Sequence, residues 1–248
     1  MKGTFFNKPL EWSLETVKES WGQGDHITGT LRLKNIGPDS ISIEECGVAL
    51  AYGEIKKVHS RADGALKPHA HALFPKMNLS AGDSQELHFD FQLDPNCAIT
   101  DKKASYYLSY GRSCLESHLM LKIDPKLLFG KVVGLLDTFH RFKLKEFKAN
   151  KNGVEYKLIP PTSRDMANLE SVNLVFSMAG ENLHMDYDFQ VRKLDTNSPT
   201  TKVNKVGIKV QKILLPKEYS LGKEMINQDS ILKSLEAAIN EVKLKSVF

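Results

Sequence analysis

Hydrophobic and polar residues alternate with a period of two along most of the chain. In the clearest run, Trp21 and the pair Gly24-Asp25 lead into Ile27, Gly29, Leu31 and Leu33 on one face, with His26, Thr28, Thr30 and Arg32 on the other. That period predicts a half-buried antiparallel strand, and Gly-Asp supplies the backbone freedom to enter it. The pattern is echoed after Gly82-Asp83 by Leu87, Phe89, Phe91 and Leu93, and after Gly180 by Leu183, Met185, Tyr187, Phe189 and Val191. Shorter runs predict further strands at Ile41/Ile43, Val48/Leu50/Tyr52, Tyr106/Leu108/Tyr110, Leu119/Leu121/Ile123, Phe142/Leu144, Val154/Tyr156/Leu158, Val172/Leu174/Phe176 and Val206/Ile208/Val210. Turn residues bound each run, and Asn152-Gly153 predicts a type I′ hairpin turn with both residues at positive φ.

Many short strands with no helices between them indicate antiparallel β-sandwiches and argue against a βαβ design. Neither a G-x-G-x-x-G nor a Walker-type phosphate loop is present. Residues 126–137 lack clean periodicity and read as a linker after Asp124-Pro125, so the expected organisation is a sandwich over 1–125 and a second over 138–222. The last segment, 223–248, changes character: Ile231, Leu235, Ala238, Ile239 and Val242 recur at helical spacing, with Asp229 or Ser230 placed to cap the helix. This amphipathic stripe must dock on a sheet or on a partner. Ile231, Leu235, Ile239 and Val242 are therefore candidate partner contacts.

At 248 residues the chain has room for two β domains, and a net charge of +4 gives no push towards nucleic acid. Cys46, Cys97 and Cys114 are odd in number and have no C-x-x-C spacing, which predicts free thiols in a reducing compartment. The amino end has no apolar run of signal-peptide length, and nothing approaches the roughly 20 apolar residues of a membrane span. The expectation is a soluble, cytoplasmic protein.

The Trp21–Leu33 run, W-x-x-G-D-x-I-x-G-x-L-x-L, resembles the early strand pair of arrestin-like domains. Phe89 to Pro95, followed by Lys103 to Tyr110, is similar to a later strand pairing of the same domain, and Leu169–Phe176 with Leu183–Arg192 resembles the second half of the bacterial sporulation-control arrestin-like proteins. The resemblance spans about Glu11 to Val191 and lacks the animal arrestins' long activation tail and charged polar core. It implies an all-β fold of two tandem arrestin-like antiparallel β-sandwiches with a C-terminal helix, and a non-enzymatic adaptor or scaffold role, with bacterial regulation or development as the setting.

Candidate chemistry is sparse. Gly64 to His71 approximates the G-x-x-x-x-x-H-x-H of cupins, and His69 and His71 on alternate positions of one strand would point the same way to hold a metal. The glutamate expected next is replaced by Leu73-Phe74-Pro75-Lys76, and a solvated loop explains the histidines as well. Ser105, Ser113, Cys114 and Ser117 lie near His118 in sequence, without a G-x-S-x-G elbow; Arg112 would lower the Cys114 pKa if it lay beside the thiol. Asp186 and Asp188 offer paired carboxylates on one strand face, or simply a solvated face. No catalytic, cofactor-binding or metal-binding residue is assigned, and no cofactor is expected.

Lys126, Lys131, Arg141, Lys143, Lys145, Lys148 and Lys151 form a basic stretch. Arg141, Lys143 and Lys145 alternate, and a strand would line them up towards an acidic partner or, peripherally, an anionic membrane. A solvated sheet or a lysine-guarded edge explains the same run. The leading reading is a protein that binds partners through strand edges, the basic residues or the last helix. A sugar- or lipid-binding β-sandwich is the alternative, with Trp12, Trp21, Tyr106 and Tyr110 as candidate pocket aromatics, and a cupin-like metalloenzyme is the third reading.

Overall fold

The computed structural model describes residues 1–114, 116–195, 202–222 and 225–246, and divides into two compact units, Met1–Asp124 and Pro125–Phe248. The first unit runs β1 (Lys2–Asn7), β2 (Leu10–Thr16), β3 (Trp21–Gly22), β4 (His26–Asn35), β5 (Ile41–Ile43), β6 (Cys46–Glu54), α1 (Ile55–His59), β7 (Leu66–Phe74), β8 (Met77–Leu79), β9 (Ser84–Gln92), β10 (Ala104–Gly111), β11 (Ser117–Met120) and β12 (Ile123–Asp124). Two antiparallel four-stranded sheets, ordered β1-β2-β4-β9 and β11-β10-β6-β7, face each other. Alternation drives the pairing: Trp12, Leu14, Ile27, Leu31 and Leu33 of one sheet bury against Val48, Leu50, Leu108 and Tyr110 of the other. The sandwich closes at both sides, where β1 lies beside β11 and β7 beside β9.

The Gly-Asp turns share one geometry. Gly24 has φ 88°, and the Asp25 carboxylate accepts the Gly22 N–H at 3.1 Å. Gly82 has φ 83°, and Asp83 accepts the Ser80 N–H at 3.2 Å. A left-handed glycine turns the chain, and the aspartate satisfies a backbone donor before the strand begins.

The second unit runs α2 (Leu127–His140), β13 (Lys143–Asn150), β14 (Gly153–Ile159), β15 (Leu169–Ala179), β16 (Asn182–Asp195), β17 (Lys202–Leu214), α3 (Pro216–Tyr219), β18 (Ser220–Gly222), β19 (Met225–Ile226) and α4 (Gln228–Ser246). β13 to β17 form an antiparallel meander in sequence order. One face buries Val154, Tyr156, Leu158, Val172, Leu174, Phe176, Met185, Tyr187 and Phe189. Strands dominate both units, as expected; among the described residues, the layer over this second sheet is helical, formed by α2 and α4.

Residues 126–137, expected as a linker, lie almost wholly within α2. Phe129, Val132, Val133, Leu135 and Leu136 are buried, and Phe129 stacks on Phe176 at 5.1 Å. So wide an apolar arc leaves no narrow stripe for a periodicity argument to find, and Gly130 and Gly134 on the exposed side are poor helix formers. The expected type I′ turn is also shifted. Asn150 pairs with Gly153, so Lys151-Asn152 form the turn; the Asn150 side chain accepts the Asn152 N–H at 3.1 Å, and only Gly153 has a positive φ, 147°. The cap of α4 is Asn227, whose side chain accepts the Ser230 N–H at 3.3 Å, in place of Asp229 or Ser230. The expected segment 223–248 begins and ends on residues outside those described.

Candidate functional site: the open edges of the second sheet

The helical stripe is not a partner surface. Ile231 and Leu235 are fully buried, and Ile239 and Val242 nearly so, because α4 packs on β16, β17 and α2 within its own unit. Their apolar area is already removed from water, which leaves nothing for a partner to gain.

The basic run does not form one stripe. Arg141 precedes the strand: it ends α2 in the left-handed conformation, φ 60°, with its N–H on the Asp137 carbonyl at 3.1 Å. A bulge between Leu144 and Glu146 then sets Lys145 out of the ladder. Lys143 pairs with Asp137 at 2.6 Å and Lys148 with Glu155 at 3.0 Å. Arg141, Lys143 and Lys145 thus do not line up on one strand face.

A bulge also undoes the cupin-like pair. Register slips between Leu50 and Ala51, so Ala51 faces Pro68 while Leu50 faces Ala70, and His69 is the extra residue. His69 turns to the Tyr52 and Tyr106 rings, 6.4 and 5.4 Å between centroids, whereas His71 pairs with Ala49 on the opposite face. Among the described residues no three His, Cys, Asp or Glu side chains gather as a metal site.

Cys114 has no lowered pKa: burial, and more weakly Glu45, push the thiol up, and Cys46 is pushed up to about 11 by burial, Cys114 and Glu45. Thiols held protonated are poor nucleophiles. Asp186 accepts from Gln211 Nε2 at 2.7 Å and Asp188 from Gln190 Nε2 at 2.8 Å, each tied to a neutral amide on the polar sheet face. Trp12, Trp21, Tyr106 and Tyr110 are all buried in the first sandwich, so they line no surface pocket for a sugar or lipid.

The two edges of the second sheet are open, since among the described residues no strand pairs with the outer side of β13 or β17. They differ in kind. Both carry lysines, but β13 spans only 8 residues and is bulged, features by which edges resist adding strands. β17 spans 13 residues and pairs with β16 without a register shift from Leu183↔Leu214 to Asp195↔Lys202. Lys205, Gly207 and Lys209 are exposed on it, and Gly207 offers no side chain to keep another backbone away. Its alternating apolar run is plain in the sequence, but an edge exists only once the strand order is known.

No family model matches the chain, and no curated protein is significantly similar to it in sequence. Solved structures do match. The crystal structure of Spo0M, sporulation control protein, from Bacillus subtilis superposes with a TM-score of 0.62 at 13% identity, covering 95% of this chain and 99% of that one. The fold is therefore arrestin-like, as the sequence pattern suggested. A β-glucosidase from Listeria innocua in complex with gluconolactone (15% identity, 46% of this chain, 16% of that chain, TM-score 0.30) and the Pseudomonas fluorescens alkylpurine DNA glycosylase AlkC (14%, 44%, 29%, TM-score 0.27) match too loosely to bear on function. No helix among the described residues is long and apolar enough to cross a membrane.

Proposed function

We propose that the protein is a non-enzymatic adaptor or scaffold that binds other proteins by taking an extended partner segment onto the free edge of β17. The observation that carries the reading is the unbroken 13-residue ladder of β17 on β16, at the edge of a sheet whose other edge is shorter and bulged. Strand addition draws affinity from main-chain hydrogen bonds and needs a long edge in regular register. Lys209 on the polar face favours a partner strand with an acidic residue opposite it, whereas Lys205 already pairs with Glu170 at 2.7 Å. A regulatory setting is in keeping with a shared fold, since Spo0M is a sporulation control protein.

A proline scan over positions 206 to 209 tests this. Edge strands tolerate proline where the N–H faces solvent, so part of the scan keeps the fold, as read by circular dichroism. Among those variants, at least one loses the protein partners that the full chain captures from native lysate. Retention of every partner by every folded variant would refute strand addition at β17.

A further inference from the structure

The polar face of the second sheet holds a trough of about 510 Å3. Two ladder rows build it. Asn173, Asp188 and Lys209 stand side by side across β15, β16 and β17, and the next row runs from Glu155 through Val175 and Asp186 to Gln211. Ladder partners share a face, and residues two apart on a strand return to it. Asp186 and Asp188 are half-buried, and each engages one oxygen with an amide, from Gln211 at 2.7 Å and from Gln190 at 2.8 Å. Among the described residues the second oxygen of each carboxylate is unengaged, and Lys209 makes no ion pair. The Asn173 Oδ1 is shut off from water and has no hydrogen-bond partner among them.

These groups call for a ligand that donates and accepts hydrogen bonds from neighbouring atoms. The free carboxylate oxygens and the Asn173 carbonyl need donors, whereas the Lys209 ammonium needs an acceptor. Hydroxyls on adjacent ring carbons supply both, and the soft terminal torsion of Asn173 lets its amide turn to one of them and relieve the unpaired oxygen. Charge excludes the simpler ligands. Lys148 offsets Glu155 at 3.0 Å and Lys209 stands opposite Asp188, so a bare cation meets an ammonium and a bare anion meets two carboxylates. Tyr187 and Val210 are buried on the other face, which leaves half-buried Val175 to meet the C–H side of a ring. We propose that this trough binds a neutral saccharide, for which its volume is ample. Without an aromatic platform the affinity is expected at about the millimolar level. Both aspartates lie on β16, and the inference does not rest on strand addition at β17.

The test is a titration of the isotope-labelled full chain with maltose, lactose and diacetylchitobiose, each to about 50 mM, followed through amide resonances. At least one of them should shift the amides of Asn173, Asp186, Asp188 and Lys209 saturably and leave those of the first unit in place. Asp186→Asn and Asp188→Asn keep side-chain shape, and a neutral amide is a weaker acceptor than a carboxylate. Each should weaken that sugar's binding by about tenfold with an unchanged unfolding midpoint. The shift map of the parent protein stands as evidence even where a variant is unstable. Failure of all three sugars to move these amides would overturn the proposal, as would shifts confined to another surface. Parent-like affinity in both variants would overturn it too, and so would calcium chloride moving these amides where no sugar does.

Discussion

Gly29 of β4 pairs with Phe89 of β9, and the Phe89 ring occupies the space a side chain at 29 would need: a Cβ there would stand 2.5 Å from Phe89 Cζ. On its other side it would meet the Glu15 carbonyl oxygen of β2. Gly29→Ala is therefore expected to destabilise the first unit by about 1–3 kcal/mol, read by denaturant unfolding. Phe89→Leu should recover only part of the loss in a double-mutant cycle, because the Glu15 carbonyl stays in place. A neutral Gly29→Ala would show that β4 shifts freely.

Asn35, fully buried at the end of β4, ties the sandwich to its loops. Its Nδ2 donates to the Asp39 carbonyl at 2.7 Å and to the Leu79 and Ser80 carbonyls at 3.1 Å, and its Oδ1 accepts the Gly37 N–H at 3.0 Å. Asn35→Leu strands those buried backbone groups and should cost about 1–3 kcal/mol or more, despite the gain in apolar character. Equal stability of the variant, measured by thermal and denaturant melts, would contradict this account.

Alkaline pH should unfold the protein. Burial holds Cys46 up at about 11, above the 9.0 of a free thiol, and pushes Tyr106 and Tyr156 up to about 12, above 10.0. The native state keeps these protons while the unfolded state releases them. Their contribution to stability is thus complete below pH 9 and is lost as pH rises towards 12. Stability profiles should slope downward over that window, with phenolate absorbance appearing together with the loss of ellipticity. In the native state at pH 8, Cys46 and Cys114 should resist a thiol reagent that reacts with both on unfolding.

Leu235, fully buried on α4, separates a core helix from a detachable one. Leu235→Ala should cost about 2–5 kcal/mol of stability in the second unit, as a cavity-forming change does. Truncation before Gln228 should expose the sheet and bind a hydrophobic dye. A stable, dye-negative truncation would return the helix to the role of a partner-binding element.

Alternation made the strands legible because side-chain direction in a strand is local: Ile27, Leu31 and Leu33 turn inward whichever strand lies beside them, and the Gly24-Asp25 turn satisfies itself within four residues. Helical spacing located Ile231 to Val242 for the same reason. Everything that depends on a neighbour lay beyond that reach. One extra residue opposite Leu50 and Ala51 sends His69 and His71 to opposite faces, and one at Lys145 breaks up the basic run; both bulges are properties of a pair of strands. α2 escaped detection because its burial is too broad to leave a stripe. The sequence by itself determined the strands, the last helix and the likeness to arrestin-like domains. Only the tertiary structure decided that the helix stripe is core and that β17 is an open edge; adjacency in space is set by the packing energy of the whole unit, which no local pattern encodes.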